Sequence, residues 1–166
     1  MKSFDQTWED IHASQEWGKY PSEPVIRFVA RNYYISERKN VKILDFGCGG
    51  GNHTWYLARE GFDTYAFDGS PSAIKRVKTR LEKEGLTANL KVCDALELDY
   101  ETGMFDCVVD SAAIYANTYE NIAHFFEEEE LRDLLTKAGF KNVIIDTLRF
   151  TDRGGVVEQY LVQAEK

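Results

Sequence analysis

Cysteine, histidine and proline are scarce in this 166-residue chain, with three of each. Cys48, Cys93 and Cys107 are an odd set without metal-like spacing, which argues against a disulfide framework and for reduced thiols. His12, His53 and His124 form no ligand cluster, so no metal site is expected. No apolar run approaches the roughly 18 residues that a membrane span needs, and nothing reads as a signal peptide. The expectation is therefore a cytoplasmic protein with no membrane partner. Positive charge is also in deficit: 20 Lys and Arg face 28 Asp and Glu, a net charge of −8. That balance argues against a nucleic-acid partner, whose phosphates Lys and Arg must neutralise. The one basic run, Lys75 to Arg80, reads as the solvated face of a helix. There is no internal repeat or low-complexity segment, and the length suits a single domain over 1–166.

Glycine, by contrast, is concentrated. Residues 41–51, VKILDFGCGGG, run an apolar strand into an acid and four glycines, spaced Asp45-x-Gly47-x-Gly49-x-Gly51. Glycines there permit a sharp turn and let a ligand approach the backbone. The helical segment HTWYLAREGF follows, and its N-terminus offers free N–H groups to a ligand. A dinucleotide fingerprint would need a third glycine at position 52, which is Asn52, and Asp45 would repel a pyrophosphate. An NAD(P) oxidoreductase is thereby disfavoured, and an ammonium or hydroxyl group suits the acid better. At this loop the chain resembles the Rossmann-like class I methyltransferases, which bind S-adenosylmethionine on an Asp/Glu-x-Gly-x-Gly-x-Gly loop.

The remaining strands follow the same plan. DTYAFD ends in Asp68, about 20 residues past the glycines, where an acid hydrogen-bonds ribose hydroxyls in such folds. Ser70 reads as an N-cap with Pro71 at the first helical position. The helix that follows puts Ala73, Val77 and Leu81 on one face and stops at Gly85. NLKVCDA ends in Asp94, where the family places an acid that accepts from the adenine amino group. MFDCVVDSAAIY carries Asp110 and Ser111 at its carboxyl end. Ligands in open α/β sheets lie outside such ends. A strand-end Asp is equally a turn or cap residue, but here four of them occur in the family's order. The resemblance implies a cofactor site of Asp45, Gly47, Cys48, Gly49 and Asn52 from the loop, with Asp68, Gly69, Asp94, Ala95 and Asp110 from later strand ends.

Residues 1–40 precede the first strand and are rich in aromatics, including Phe4, Trp8, Trp17 and Tyr20. Residues 23–34 read as an amphipathic helix with Val25, Phe28, Val29 and Tyr33 on one face. Small-molecule methyltransferases often use such an arm as a lid, which adds Trp17 to the cofactor-binding set; the other reading is an N-terminal packing cap. After Asp110 the chain departs from the family. Only residues 111–124 separate it from the helix HFFEEEELRDLLTKAGF, and no Pro-Gly-Gly turn follows because every proline lies at or before Pro71. One helix–strand unit is missing by this count.

The fold implied is an α/β, three-layer Rossmann-like sheet, mostly parallel with an antiparallel C-terminal strand and six strands in all. The last hairpin, 142–150 and 156–164, extends the sheet either in the family order 3-2-1-4-7-6 or by an ordinary right-handed crossover into the vacated fifth position. An edge left without its neighbour favours a homodimer through the C-terminal half. The implied activity is methyl transfer from S-adenosylmethionine to a small-molecule acceptor by in-line displacement, with a general base optional. Asp110, His53, Tyr115 and His124 are the candidates for such a base. The shortened core leaves a second reading, a cofactor-binding or partner-stabilising protein without turnover.

Overall fold

A parallel sheet forms where the apolar runs lie. Strands β1 (Lys42–Phe46), β2 (Asp63–Asp68), β3 (Asn89–Val92) and β4 (Cys107–Asp110) pair in the order β3-β2-β1-β4. The computed structural model describes residues 4–16, 18–111, 113, 128–137, 141–152 and 155–165. It divides the chain into two units, Met1–Ala123, which holds this sheet, and His124–Lys166. The register sets Phe46 beside Phe67 and Asp110, and Asp68 beside Val92, so the four carboxyl ends gather along one edge.

The helices of the first unit form for local reasons that the sequence states plainly. In α2 (Glu23–Tyr33) Pro24 sits in the first turn and the buried face is Val25 and Val29. Helix α3 (Asn52–Arg59) starts directly from Gly51. In α4 (Pro71–Lys83) the Ser70 hydroxyl accepts from the Ala73 N–H at 3.0 Å, and Ala73, Val77 and Leu81 are buried at successive turns. Gly85 ends it in the left-handed region while the Leu86 N–H returns to the Leu81 carbonyl at 2.9 Å.

These helices share one core with one face of the sheet. Ile43, Ala66, Cys107 and Val109 point into it, alongside Val29, Leu57 and Val77, which are fully buried. The alternate strand positions carry an aromatic cluster, in which Tyr65 meets Tyr100 and Phe105 edge-on. A further helix, α1 (Gln6–Ser14), lies within what the sequence marked only as an arm. Asp5 caps it by accepting from the Thr7 N–H at 2.8 Å.

The second unit contains α5 (Glu128–Lys137), whose first described residues belong to the acidic Glu127–Glu130 run, and an antiparallel hairpin. Strands β5 (Lys141–Asp152) and β6 (Gly155–Glu165) pair from Asp152 opposite Gly155 to Lys141 opposite Glu165. Among the described residues the parallel sheet has four strands, and β5 and β6 pair with each other as a second sheet. A short connection lets each of them meet its hydrogen-bonding needs in the other before any distant pairing is required. Among the described residues no helix is long and apolar enough to cross a membrane.

Gly51 is constrained twice, by its backbone conformation and by a buried neighbour. Its φ is 75°, and a Cβ there would stand 2.5 Å from Val77 Cγ2, in a side chain that is fully buried. Gly61 has a comparable φ of 87° with nothing within 4 Å of its Cβ position. Gly61→Ala should therefore lose about 1–2 kcal/mol from the left-handed conformation alone. Gly51→Ala should lose about 2–4 kcal/mol, because overpacking adds to that strain. Urea unfolding of the two variants measures the difference.

Candidate functional site

The chain leaving β1 crosses over the end of β2 and is tied there by two bonds. The Cys48 N–H donates to the Phe67 carbonyl at 2.9 Å, and the Gly49 N–H donates to Asp68 Oδ2 at 2.8 Å. The other oxygen of Asp68 accepts from the Ser70 N–H at 2.8 Å, where α4 begins. One buried carboxylate therefore joins the glycine loop to the start of a helix 19 residues away in sequence. Asp94 plays a similar part after β3: Oδ1 accepts from the Leu96 N–H at 2.9 Å, and Oδ2 accepts from the Phe4 N–H at 2.9 Å.

These strand ends enclose a cavity of about 600 Å³, within the range of small-molecule sites. Asp45, Gly47, Cys48, Gly49 and Asn52 line it from the loop, Asp68 and Gly69 from β2, and Asp94 and Ala95 from β3. Nine of the eleven residues assigned from sequence are brought together. Of the other two, Asp110 is exposed and accepts from the Ala113 N–H at 2.9 Å, and the cavity is lined at this strand by Ser111 and Ala113. Trp17 lies outside the described residues, as do Tyr115 and His124.

Burial sets the charge state of the cavity floor. Asp45 is 1% exposed, and desolvation lifts it to about 7 against the hydrogen bond from the Thr54 hydroxyl at 2.6 Å; the charges of Asp68 and Asp110 push in the same upward direction. His53 is lowered to about 4, again by burial first. Its Nε2 accepts from the Ser22 N–H at 3.2 Å, so the neutral ring carries its proton on Nδ1, which lies 4.0 Å from Asp45 Oδ1. A ring already engaged in this way holds the 20–22 segment over the cavity and is poorly placed as a base. Burial likewise raises the Cys48 thiol, which makes it inert.

The two shifts act oppositely on stability. Asp45 keeps a proton that the unfolded chain has lost between roughly pH 4 and 7, so its contribution falls as pH rises through that window. His53 refuses a proton that the unfolded chain takes up below about pH 6.5, so its contribution falls as pH drops toward about 4. In the overlap folded and unfolded states bind one proton each, on different groups, and the two slopes cancel.

The arm supplies walls that the sequence did not assign. Phe4, Trp8 and His12 line the cavity, and the His12 ring lies against Gly49, where an added Cβ would be 3.4 Å from Cε1. His12 itself is lowered by burial, with the Asp68 charge opposing. Glu9 fixes α1 on the start of α4, accepting from the hydroxyls of Ser70 and Ser72 and, at 3.2 Å, from the Ser72 N–H. Arg76 donates to the carbonyls of His12, at 2.6 Å, and Gln15, and Arg80 donates to that of Lys19. The basic run is thus divided: Lys75 and Lys78 are solvated as expected, whereas Arg76 and Arg80 are half-buried and grip the arm. Asp5 as a cap, with Trp8, Ile11 and His12 at helical spacing after it, was the available signal for α1.

Among the described residues no group of three or more side chains is arranged to hold a metal ion. The cavity also has no Lys or Arg among its described lining residues, and three of them are acids. Its acceptor set therefore fits hydroxyl, amino and cationic groups better than phosphates.

Comparison with known proteins agrees with this geometry. A family model described as a methyltransferase domain matches residues 43–139, more than half of the chain. The 2-methyl-6-phytyl-1,4-hydroquinone methyltransferase of Synechocystis is 32% identical over 109 residues, covering 64% of this chain and 30% of that protein. The chloroplastic tocopherol O-methyltransferase of Arabidopsis thaliana is 34% identical over 89 residues, covering 52% of this chain and 26% of that one. The matched stretch spans about a third or less of the length of these curated relatives. In fold, the magnesium protoporphyrin IX methyltransferase of Synechocystis, solved with bound S-adenosylmethionine, aligns with a TM-score of 0.67 at 17% identity, over 87% of this chain and 79% of that one. With its loop, strand order and family match in agreement, the chain belongs to the methyltransferase-domain family.

Proposed function

We propose that the cavity binds S-adenosylmethionine and that the chain transfers its methyl group to a small-molecule acceptor by in-line displacement. The observation that carries this reading is the convergence of Asp45, Gly49, Asp68 and Asp94, from three different strand ends, on one cavity. When bound, the cofactor supplies a methyl group on a positively charged sulfur, already activated for displacement. The chain's part is to bind, align and keep water out. Asp68 has two backbone donors and, with about four acceptor positions on a carboxylate, retains capacity for ribose hydroxyls. Asp94 receives an amino group, Gly49 admits the ligand close to the backbone, and Phe46, Phe67, Trp8 and Tyr20 supply apolar cover. Two of the relatives named above are, by their names, methyltransferases of a phytyl hydroquinone and of tocopherol, which supports a small-molecule acceptor for this chain.

The free thiols suit a reducing compartment, and the reading places the protein in the cytoplasm with neither nucleic acid nor membrane as partner. Among the described residues β5 and β6 pair only with each other, so each has a second backbone edge to which another strand can add. A homodimer through the C-terminal half remains part of the proposal, and light scattering at high concentration tests it.

Calorimetry tests the cofactor: S-adenosylmethionine and S-adenosylhomocysteine should bind, and NAD(H) far more weakly. The reverse preference ends the reading, while binding without formation of S-adenosylhomocysteine from candidate acceptors reduces the protein to a binder. A cationic ligand should favour the ionised form of Asp45, so binding at pH 6 should release up to about one proton, and at pH 8 almost none. Titration in buffers of different ionisation enthalpy reads this, and proton uptake at pH 6 would contradict it. Asp68→Ala should weaken binding at least ~10-fold and lower stability by about 3–6 kcal/mol, since each of its two bonds to backbone N–H groups is worth about 1.5–3 kcal/mol. Asp68→Asn should also destabilise, because its amide NH2 must face one of two N–H donors.

A further inference from the structure

Phe4 is the residue that joins the two sides of the cavity where β2 and β3 end. Its backbone N–H is spent on Asp94 Oδ2 at 2.9 Å, across 90 residues of sequence. Its ring lies against the bare backbone of Gly69, so close that a Cβ added there would overlap the ring atoms Cγ and Cδ2. Both Asp94 and Gly69 line the cavity, and Phe4 lines it with them. A planar ring seated on one strand end, with a backbone N–H directed at the carboxylate of the next, offers the two kinds of contact that an aminopurine would make there. A ligand ring seated on Gly69 would have to take the place of the Phe4 ring.

We propose that Phe4 is an intramolecular occupant of the subsite that takes the adenine ring, and that cofactor binding displaces it. The proposal rests on reading the cavity as an S-adenosylmethionine site. Displacement leaves α1 where it is. That helix has its own cap at Asp5 and its own anchors, with Glu9 on Ser70 and Ser72 and Arg76 on the carbonyls of His12 and Gln15. The moving part is therefore Phe4, turning about the helix start at Asp5, while Trp8 and His12 stay as cavity wall. An occupant of this kind lowers the apparent affinity in proportion to the fraction of molecules it leaves open. If it fills the subsite in nine molecules of ten, affinity is about ten-fold weaker than the cavity alone would give.

The test compares the intact chain with Phe4→Ala and with a deletion of residues 2–4, which keeps the Asp5 cap. S-adenosylhomocysteine is titrated calorimetrically into all three, and amide exchange of the N-terminal peptide is followed in the intact chain with and without it. Both variants should bind about ten-fold more tightly, and exchange at the Phe4 amide should accelerate on saturation. Affinity that is unchanged, or lower, in both variants while the intact chain binds normally would overturn the proposal and leave the cofactor reading standing. Lower affinity would make Phe4 a wall that stacks on the ligand. Absence of binding in all three proteins would overturn both readings together.

Discussion

The Asp68 carboxylate holds together three parts that the chain supplies separately: the end of β2, the glycine loop after β1 and the first turn of α4. At 8% exposure an ionised carboxylate is costly unless it is hydrogen-bonded, and here each oxygen has a backbone donor at 2.8 Å. Those donors are N–H groups left over where regular structure starts or turns, so the acid and the amides solve each other's problem. The loop is thereby held at a fixed height above the sheet. Together with the bond from the Cys48 N–H to the Phe67 carbonyl, the carboxylate sets where Gly49 stands at the cavity edge.

The rest of the site is arranged around that fixed loop. Beneath it, Asp45 and His53 lie on buried ground where neither ion is favoured, and the pair settles with the carboxyl protonated and the imidazole neutral over much of the acidic range. Above it, α1 is bound to α4 by a carboxylate on hydroxyls and by guanidinium groups on carbonyls. The floor is thus electrostatically soft, able to ionise when a cation arrives, whereas the wall is fixed by directional bonds.

Local chemistry was legible in the sequence and long-range chemistry was not. Ser70 and Pro71 announced the start of α4, Gly85 its end, and the acids at the strand ends fell on one edge as the parallel register requires. Each of those signals is contained within a few residues. The bond from Phe4 to Asp94 spans 90 positions, and the bonds of Arg76 and Arg80 to the arm span 61 to 64. No spacing rule connects such partners. Arg76 and Arg80 looked like the rest of a solvated basic face because their targets are main-chain carbonyls, which leave no trace in side-chain identity. The hairpin was legible as two strands, but which strands they would pair with depends on competition between a near partner and a distant one.

That arginine clamp has an evolutionary consequence. Arg76 and Arg80, one helical turn apart on α4, recognise the carbonyls of His12, Gln15 and Lys19, and every residue type carries a carbonyl. Glu9 aside, the side chains of α1 and of the segment after it carry less of the duty of docking the arm. Substitutions at Trp8 or His12 can reshape the cavity wall while the segment stays in place, so the shape of the cavity can drift in descendants of this chain without loss of the element that forms its wall.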